Sequence, residues 1–162
     1  MWLIIIIVLC IITGLYFSFK GHNVKLENTI FFGKYVKQIN MPVIPLQING
    51  ETYNFLLDSG SSISHICSSA AEHVSGPLID VEYDYIGSTG SRSSASKMVE
   101  LPANYKGTEL NLCLIVNNCL DLSFASVKEE TDFDLHGILG MDFLTKHKCV
   151  IDLSKLELRY EA

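Results

Sequence analysis

The sequence has few basic residues beyond its first forty positions. Residues 41–162 contain eight Lys and Arg against seventeen Asp and Glu, a net charge of −9, whereas residues 1–40 carry +3. A surface without a cluster of cations neutralises few phosphates, which argues against nucleic acid as a partner. With 48% apolar residues, the chain is also unlike an intrinsically disordered protein. Its 162 residues allow one compact domain with an appendage.

The sequence also lacks the cysteine pattern of a secreted, disulfide-linked scaffold. Its five cysteines are an odd number, and none belongs to a C-x-x-C pair. We therefore expect reduced thiols in a reducing compartment, most of them buried as small apolar side chains. The G-x-S-x-G sequence of serine hydrolases is missing as well. The cysteines are Cys10, Cys67, Cys113, Cys119 and Cys149.

The N-terminal segment is a long apolar run. Residues 2–19 carry no charge, and as a helix they would span about 27 Å, close to the hydrocarbon thickness of a bilayer. No Lys or Arg precedes the run and no clear small-x-small cleavage site follows it. This favours an uncleaved transmembrane anchor over residues 1–19 rather than a cleaved signal peptide. Because Lys20 and Lys25 follow closely, the positive-inside rule places the rest of this single-pass membrane protein in the cytoplasm.

After the anchor, the sequence pattern changes twice. Residues 20–40 mix Lys, Asn, Gly and aromatic residues and are interpreted as a juxtamembrane linker, and residues 41–162 are interpreted as the folded domain. In the domain, short alternating runs are separated by turn residues such as Asn49-Gly50, which is typical of an all-β barrel or sandwich with one or two short helices. The predicted strands are 43–48, 53–57, 78–86, 97–101, 109–117, 149–153 and 156–160, and the predicted helices are 68–74 and 141–146.

The segment with the clearest chemistry is residues 55–62, Phe-Leu-Leu-Asp-Ser-Gly-Ser-Ser. A hydrophobic strand runs into Asp58 and then into small residues that can turn sharply and donate hydrogen bonds. Gly60 permits backbone angles that a side chain would forbid and exposes its N–H. Ser59 and Ser61 offer hydroxyls that can orient a carboxylate. Such a segment aims a carboxylate rigidly into a cleft, and the plainer alternative is an Asx turn that closes a strand.

In this context, residues 41–160 resemble the retropepsin-like aspartic proteases. The catalytic loop of that family reads hydrophobic-hydrophobic-Asp-Ser/Thr-Gly-Ala/Ser, as residues 56–61 do. The other similar elements follow in the family's order: the preceding hairpin at 41–50, the glycine-rich flap at 84–90, the hydrophobic-hydrophobic-Gly element with its short helix at 137–144, and the terminal strands at 150–159.

The resemblance implies a closed acid-protease barrel of a single lobe, with a role for each matching residue. Asp58 would be the catalytic carboxylate, Ser59 would bond across to a partner's loop, and Gly60 would present its amide. Ser61 would hold the outer carboxylate oxygen, and Gly140 would pack beneath the loop. The flap would bend over the substrate, with Ser-Thr where many relatives have a hydrophobic tip. Its residues are Ile86, Gly87, Ser88, Thr89 and Gly90.

The reaction of this family needs two aspartates, and the chain contains one Asp-Ser-Gly sequence. In a symmetric homodimer, Asp58 and Asp58 of a second copy would meet on the two-fold axis. Two carboxylates in contact cannot both ionise, so the pair would share a proton and activate a water that attacks a peptide carbonyl. The predicted function is an aspartic endopeptidase acting on polypeptide substrates, without cofactor or metal. The alternative is a membrane-tethered dimerisation or peptide-binding module with the same fold and no turnover.

Other candidate chemistry rests on the histidines, cysteines and remaining acids. His65-x-Cys67 and His147-x-Cys149 could together bind tetrahedral zinc, although their spacing is unlike that of known zinc modules. Asp142 is not followed by Ser/Thr-Gly and is interpreted as a cap of its short helix rather than a second catalytic aspartate. The acidic run within 129–134 is interpreted as a solvated loop, since it lacks the spacing of a calcium site.

Overall fold

The structure is a computed structural model that describes residues 28–86 and 92–161. Within these residues there are ten strands and four helices. The strands are β1 (Asn28–Phe31), β2 (Val43–Ile48), β3 (Glu51–Leu57), β4 (His65–Cys67), β5 (Leu78–Ile86), β6 (Arg92–Tyr105), β7 (Thr108–Asn117), β8 (Gly137–Leu139), β9 (Val150–Asp152) and β10 (Glu157–Tyr160). The helices are α1 (Gly33–Ile39), α2 (Ser68–Ala71), α3 (Cys119–Thr131) and α4 (Met141–Lys146).

Seven of the strands form one sheet that closes on itself. Their order is β2-β3-β8-β4-β7-β6-β5, and β2 also pairs with β6 through Gln47 and Asn104. The pairing closes the sheet into a barrel, and β5 extends beyond it as the outer strand of a long β5–β6 hairpin. The described part of the chain is therefore an all-β closed barrel, which confirms the predicted barrel, but it has four helices where one or two were expected.

The first hairpin has the predicted turn. Asn49 and Gly50 have φ of +53° and +86°, the left-handed values that a two-residue connection between twisted strands requires. The alternating residues of both strands fill the barrel: Ile44, Leu46, Ile48, Tyr53, Phe55 and Leu57 are buried. Pro45 lies opposite Asn54 of β3, and the pairing of β2 with β6 on the other side is at Gln47, which agrees with the missing N–H of proline.

Helix α3 was not predicted, and the loop expected within residues 129–134 is partly helical. Leu120, Phe124 and Val127 pack on the core at helical spacing, but only Phe124 is fully buried. This apolar stripe is too narrow to stand out in a polar stretch. The helix ends at Thr131, and the next residue, Asp132, closes the last turn with a φ of +54° and an N–H bond to the Lys128 carbonyl.

Part of the expected linker is folded onto the barrel. β1 pairs with the last strand, β10, with Asn28 opposite Tyr160, and Ile30 and Phe32 are completely buried. β10 also pairs with β9, so these strands form a second, three-stranded sheet in the order β1-β10-β9. The pairing of β9 with β10 confirms the closing hairpin, and the folded unit includes residues before Met41, because Ile30, Phe32 and Ile39 are core residues.

Two expectations fall on residues outside the described ranges. The predicted anchor, residues 1–19, is one, and the flap tip, residues 87–90, is the other. Among the helices of the described residues, none is long and apolar enough to cross a bilayer.

Candidate active site

Strand β3 carries Asp58 to the end of the barrel. Leu57 is buried and its N–H donates to the carbonyl oxygen of Pro42 at 2.8 Å. The N–H of Asp58 donates to the carbonyl oxygen of Leu139 at 3.0 Å, continuing the parallel pairing of β3 with β8. The backbone of Asp58 is therefore held by β8, while its side chain is only half-buried.

The loop after Asp58 folds back on the carboxylate. The N–H of Gly60 donates to Oδ1 of Asp58 at 2.8 Å, and the N–H of Ser61 donates to the Asp58 carbonyl oxygen at 3.1 Å. Gly60 does not have the positive φ that its sequence position suggested. Glycine is favoured here because a Cβ atom would lie 3.1 Å from Oδ1 of Asp58, against the carboxylate. Ser59 and Gly60 are exposed.

Ser61 stabilises the loop instead of reaching the carboxylate. Its hydroxyl donates to the carbonyl oxygen of Ile63 at 2.7 Å. The carbonyl oxygen of Ser61 in turn accepts the N–H of Met141 at 2.8 Å. The expected contact between Ser61 and the outer oxygen of Asp58 is thus replaced by a bond within the loop.

Gly140 lies directly beneath this loop. A Cβ atom on Gly140 would be 2.7 Å from the carbonyl oxygen of Ile63 and 2.8 Å from that of Ser61. Backbone atoms cannot move aside as a flexible side chain can, so only glycine fits at this position. Helix α4 begins immediately after it.

A buried pair of side chains next to the loop was not predicted from the sequence. Ser64 is 2% exposed; its hydroxyl donates to Oδ1 of Asp142 at 2.7 Å and accepts the N–H of Gly140 at 2.9 Å. Asp142 therefore lies in the first turn of α4 and also accepts a hydrogen bond from the buried Ser64. A serine between Ile63 and His65, directly before the short buried strand β4, was the available signal, because a buried hydroxyl needs a partner.

His65 lies beside the same pair and is buried. Burial lowers the pKa of His65, and the carboxylate of Asp142 opposes this shift only in part. The imidazole is accordingly favoured in its neutral form beneath the loop.

An apolar groove of about 500 Å³ opens beside Ser59. Met141, which lines the groove, is 44% exposed although apolar, and so are Val150 of β9, at 42%, and Leu153 just after β9, at 71%. Val150 belongs to β9, which pairs on one side with β10 and is the last strand in the order of its sheet. The groove is lined by Ser59, Met141, Leu144, Thr145, Lys148, Cys149 and Ile151.

The histidine–cysteine pairs do not form a metal centre in the described residues. His65 and Cys67 lie on β4, whereas His147 follows α4 and is not in a strand. No group of three or more His, Cys, Asp or Glu side chains in ranges 28–86 and 92–161 is arranged to hold a metal ion. The cysteines of these ranges are all free thiols, and burial raises the pKa of Cys149 to about 12.

The strands on either side of the expected flap tip are described. Ile86 is the last residue of β5 and pairs with Arg92, the first of β6. Below the tip, the hydroxyl of Ser94 donates to Oδ1 of Asp84 at 2.6 Å, which joins the two strands on their exposed side. Gly87, Ser88, Thr89 and Gly90 lie between these strands, outside the described residues.

A half-exposed aspartate at a strand end of a closed, single-lobe barrel is the arrangement of an acid protease. Residues 44–143 match the family described as aspartyl protease, and the chain belongs to that family. Asp58, the loop after it and Gly140 all lie in the matched range. No curated protein sequence matches the chain.

Two solved structures are similar to the chain at low identity. One is the EIAV protease complexed with the inhibitor HBY-793, at 18% identity and a TM-score of 0.46, covering 65% of this chain and 86% of that one. The other is the retroviral protease-like domain of Ddi1 from Leishmania major, at 20% identity and a TM-score of 0.48, covering 75% and 92%.

Proposed function

We propose that this protein is an aspartic endopeptidase that hydrolyses peptide bonds with a pair of Asp58 carboxylates, one from each subunit of a homodimer. The observation that carries the proposal is the backbone bond from Asp58 to Leu139, which fixes a half-exposed carboxylate at the end of a buried strand. Family membership supports the reaction class.

The need for a second copy follows from the chemistry of the site. Activation of water requires a carboxylate that accepts a proton and an acid that donates one. The neighbouring Asp142 is a poor second member, because its Oδ1 is engaged by Ser64 and by the N–H of Phe143 at 2.8 Å. The chain has a single Asp-Ser-Gly sequence, so the second carboxylate is supplied by another copy.

In the proposed dimer, the two Asp58 carboxylates share one proton because two adjacent negative charges are unfavourable. The ionised carboxylate accepts a proton from a bound water, which attacks the peptide carbonyl carbon. The protonated carboxylate donates a hydrogen bond to the oxygen on which negative charge develops. The side chain of Asp58 is half-exposed, as contact with a second copy and with water requires.

The surface proposed for dimerisation is the end of the molecule around β9. The exposed apolar side chains of Met141, Val150 and Leu153 lie on or next to α4 and β9, and the apolar groove beside Ser59 adjoins them. Exposed apolar side chains on neighbouring segments, one of them next to the candidate catalytic loop, are more typical of an interface than of a free surface. Burying them would bring the two loops together.

We further propose that residues 1–19 anchor the enzyme in a membrane, with the barrel on the cytoplasmic side. The uncharged run and the lysines that follow it support this. Confinement to a membrane surface would raise the local concentration of subunits and favour the dimer. A reporter fused after Lys20 tests the orientation: activity of a cytoplasm-specific reporter is expected, and activity of an extracytoplasmic reporter would contradict it.

The experiment that tests the activity uses the full-length chain, purified in detergent, on a denatured protein mixture at pH 5 to 7. New peptides are expected from the wild type and none from Asp58→Asn, which keeps the shape of the side chain but cannot supply the ionised carboxylate. Glu109→Gln, an exposed change on β7, is the control and should cleave like the wild type. A folded, dimeric wild type without cleavage would favour the peptide-binding module.

A further inference from the structure

One peptide group, between Leu139 and Gly140, fixes the backbone of Asp58. The carbonyl oxygen of Leu139 accepts the N–H of Asp58 at 3.0 Å. The N–H of Gly140 donates to Oγ of Ser64 at 2.9 Å. Because a trans peptide is planar and its C=O and N–H point in opposite directions, the two bonds hold the same plane from opposite sides. A rotation of this plane would disturb Asp58 and Ser64 together.

Ser64 can accept the bond from Gly140 only while its own hydroxyl hydrogen points elsewhere. That hydrogen is donated to Oδ1 of Asp142 at 2.7 Å. The same oxygen accepts the N–H of Phe143 at 2.8 Å, which fixes the carboxylate in the first turn of α4. Asp142 thus orients the Ser64 hydroxyl, and that hydroxyl holds the plane of the peptide between Leu139 and Gly140.

Because Ser64 is buried, water cannot easily replace its hydrogen bonds to Gly140 and Asp142. At 2% exposure, its hydroxyl is out of reach of bulk water, and the amide of Gly140 is buried as well. A buried N–H that loses its acceptor is strongly disfavoured, so the surrounding backbone must shift to find another. The backbone that would shift is the one that carries Asp58.

We propose that Ser64 and Asp142 are positioning residues for Asp58, acting through the Leu139–Gly140 peptide. The kinetic part of the inference rests on the proposed function, because only a working enzyme has a catalytic rate. Neither residue is placed against substrate. A displaced catalytic group lowers the rate of the chemical step more than it weakens binding, so the loss of either contact lowers kcat and leaves KM nearly unchanged.

The test compares three variants of the full-length chain. Ser64→Ala removes the acceptor of the Gly140 amide, and Asp142→Ala removes the group that orients it. Both are expected to lower kcat about 10- to 100-fold with KM within about threefold of the wild-type value. Asp142→Asn keeps an acceptor oxygen at the same place and should stay within about threefold of the wild-type kcat. The control is Ser126→Ala, an exposed serine of α3, which should leave both constants unchanged.

Amide hydrogen exchange adds a readout that does not depend on activity. In Ser64→Ala, the amides of Asp58 and Gly140 should exchange at least about tenfold faster relative to those of β7, and in Asp142→Asn they should not. Wild-type kcat with unchanged exchange in Ser64→Ala would overturn the inference, and so would equal losses in Asp142→Ala and Asp142→Asn. A wild-type chain that cleaves nothing contradicts the proposed function instead, and the exchange rates still decide this inference.

Discussion

Gly140 lies so close to Ile63 that a Cβ atom at position 140 would be 2.7 Å from the Ile63 carbonyl oxygen. The contact joins the start of α4 to the loop that carries Asp58, two segments far apart in the sequence. It is a contact between main-chain atoms, so its distance depends on the placement of whole segments and not on a choice of rotamer.

We expect Gly140→Ala to destabilise the protein by about 1–3 kcal/mol and to reduce peptide cleavage, because the added methyl group pushes the loop away from α4. Urea unfolding measures the first effect and the cleavage assay the second. Gly50→Ala is the matched control: φ is +86° there, but nothing lies within 4 Å of the added atom. It should cost about 1 kcal/mol through backbone strain and leave cleavage unchanged. Equal effects of the two substitutions would contradict a tight contact at Gly140.

The carboxylate of Asp121 joins α3 to α2. Its Oδ1 accepts the Ser69 N–H at 3.0 Å and the Ser69 hydroxyl at 2.6 Å, and its Oδ2 accepts the Ser68 N–H at 3.2 Å and the Ser68 hydroxyl. Burial alone would raise the pKa of Asp121, but the hydrogen bonds from both serines outweigh it and the pKa is lowered. We expect Asp121→Ala to lower the free energy of unfolding by about 1–3 kcal/mol at pH 7.

Asp121→Asn, which keeps one acceptor oxygen, should fall between the alanine variant and the wild type in the same urea experiment. The ionised carboxylate stabilises the fold at pH values above its unfolded-state pKa, and this contribution is lost as the pH falls through the lower folded-state pKa. The difference between wild type and Asp121→Ala should therefore shrink in strong acid. A difference that is absent at pH 7 would contradict the structural role of Asp121.

Acid should destabilise the fold through three histidines, of which His65 and His147 are buried and His136 is partly buried. Burial lowers the pKa of His65, His136 and His147, and the nearby carboxylates and backbone hydrogen bonds that raise the pKa compensate only in part. Below about pH 6.5 the unfolded chain therefore binds more protons than the folded one, and the free energy of unfolding decreases as the pH falls. Urea midpoints at pH 8 and pH 5 measure this decrease, and His136→Gln should reduce it. A midpoint that is equal or higher at pH 5 would contradict the burial of these imidazoles.

Local patterns in the sequence predicted the barrel well. Alternation along β2 and β3 and the Asn49-Gly50 turn involve residues close together in the chain, so they can be recognised without tertiary structure. The pairing of β1 with β10 could not be predicted this way, since it joins Asn28 to Tyr160 across almost the whole domain. Helix α3 was missed because most of its residues face solvent and only Phe124 is fully buried.

The candidate site was likewise predicted only where its residues are close together in the sequence. Asp58 and Gly60 could be selected because the loop is one continuous segment with a distinctive composition. The bond between Ser64 and Asp142 joins residues 78 positions apart, and neither residue type is unusual in its own segment. The actual partner of the Ser61 hydroxyl, Ile63, depends on loop geometry that composition does not determine.

The most direct test of the paired carboxylates is to co-express wild-type and Asp58→Asn subunits in equal amounts. Cleavage is then measured relative to the total amount of protein, wild type plus variant. If each site needs Asp58 from both copies, only dimers of two wild-type chains are active, and about one quarter of the wild-type activity should remain. Activity that falls only to about one half, in proportion to the wild-type chains, would mean that each chain works alone and would contradict the account.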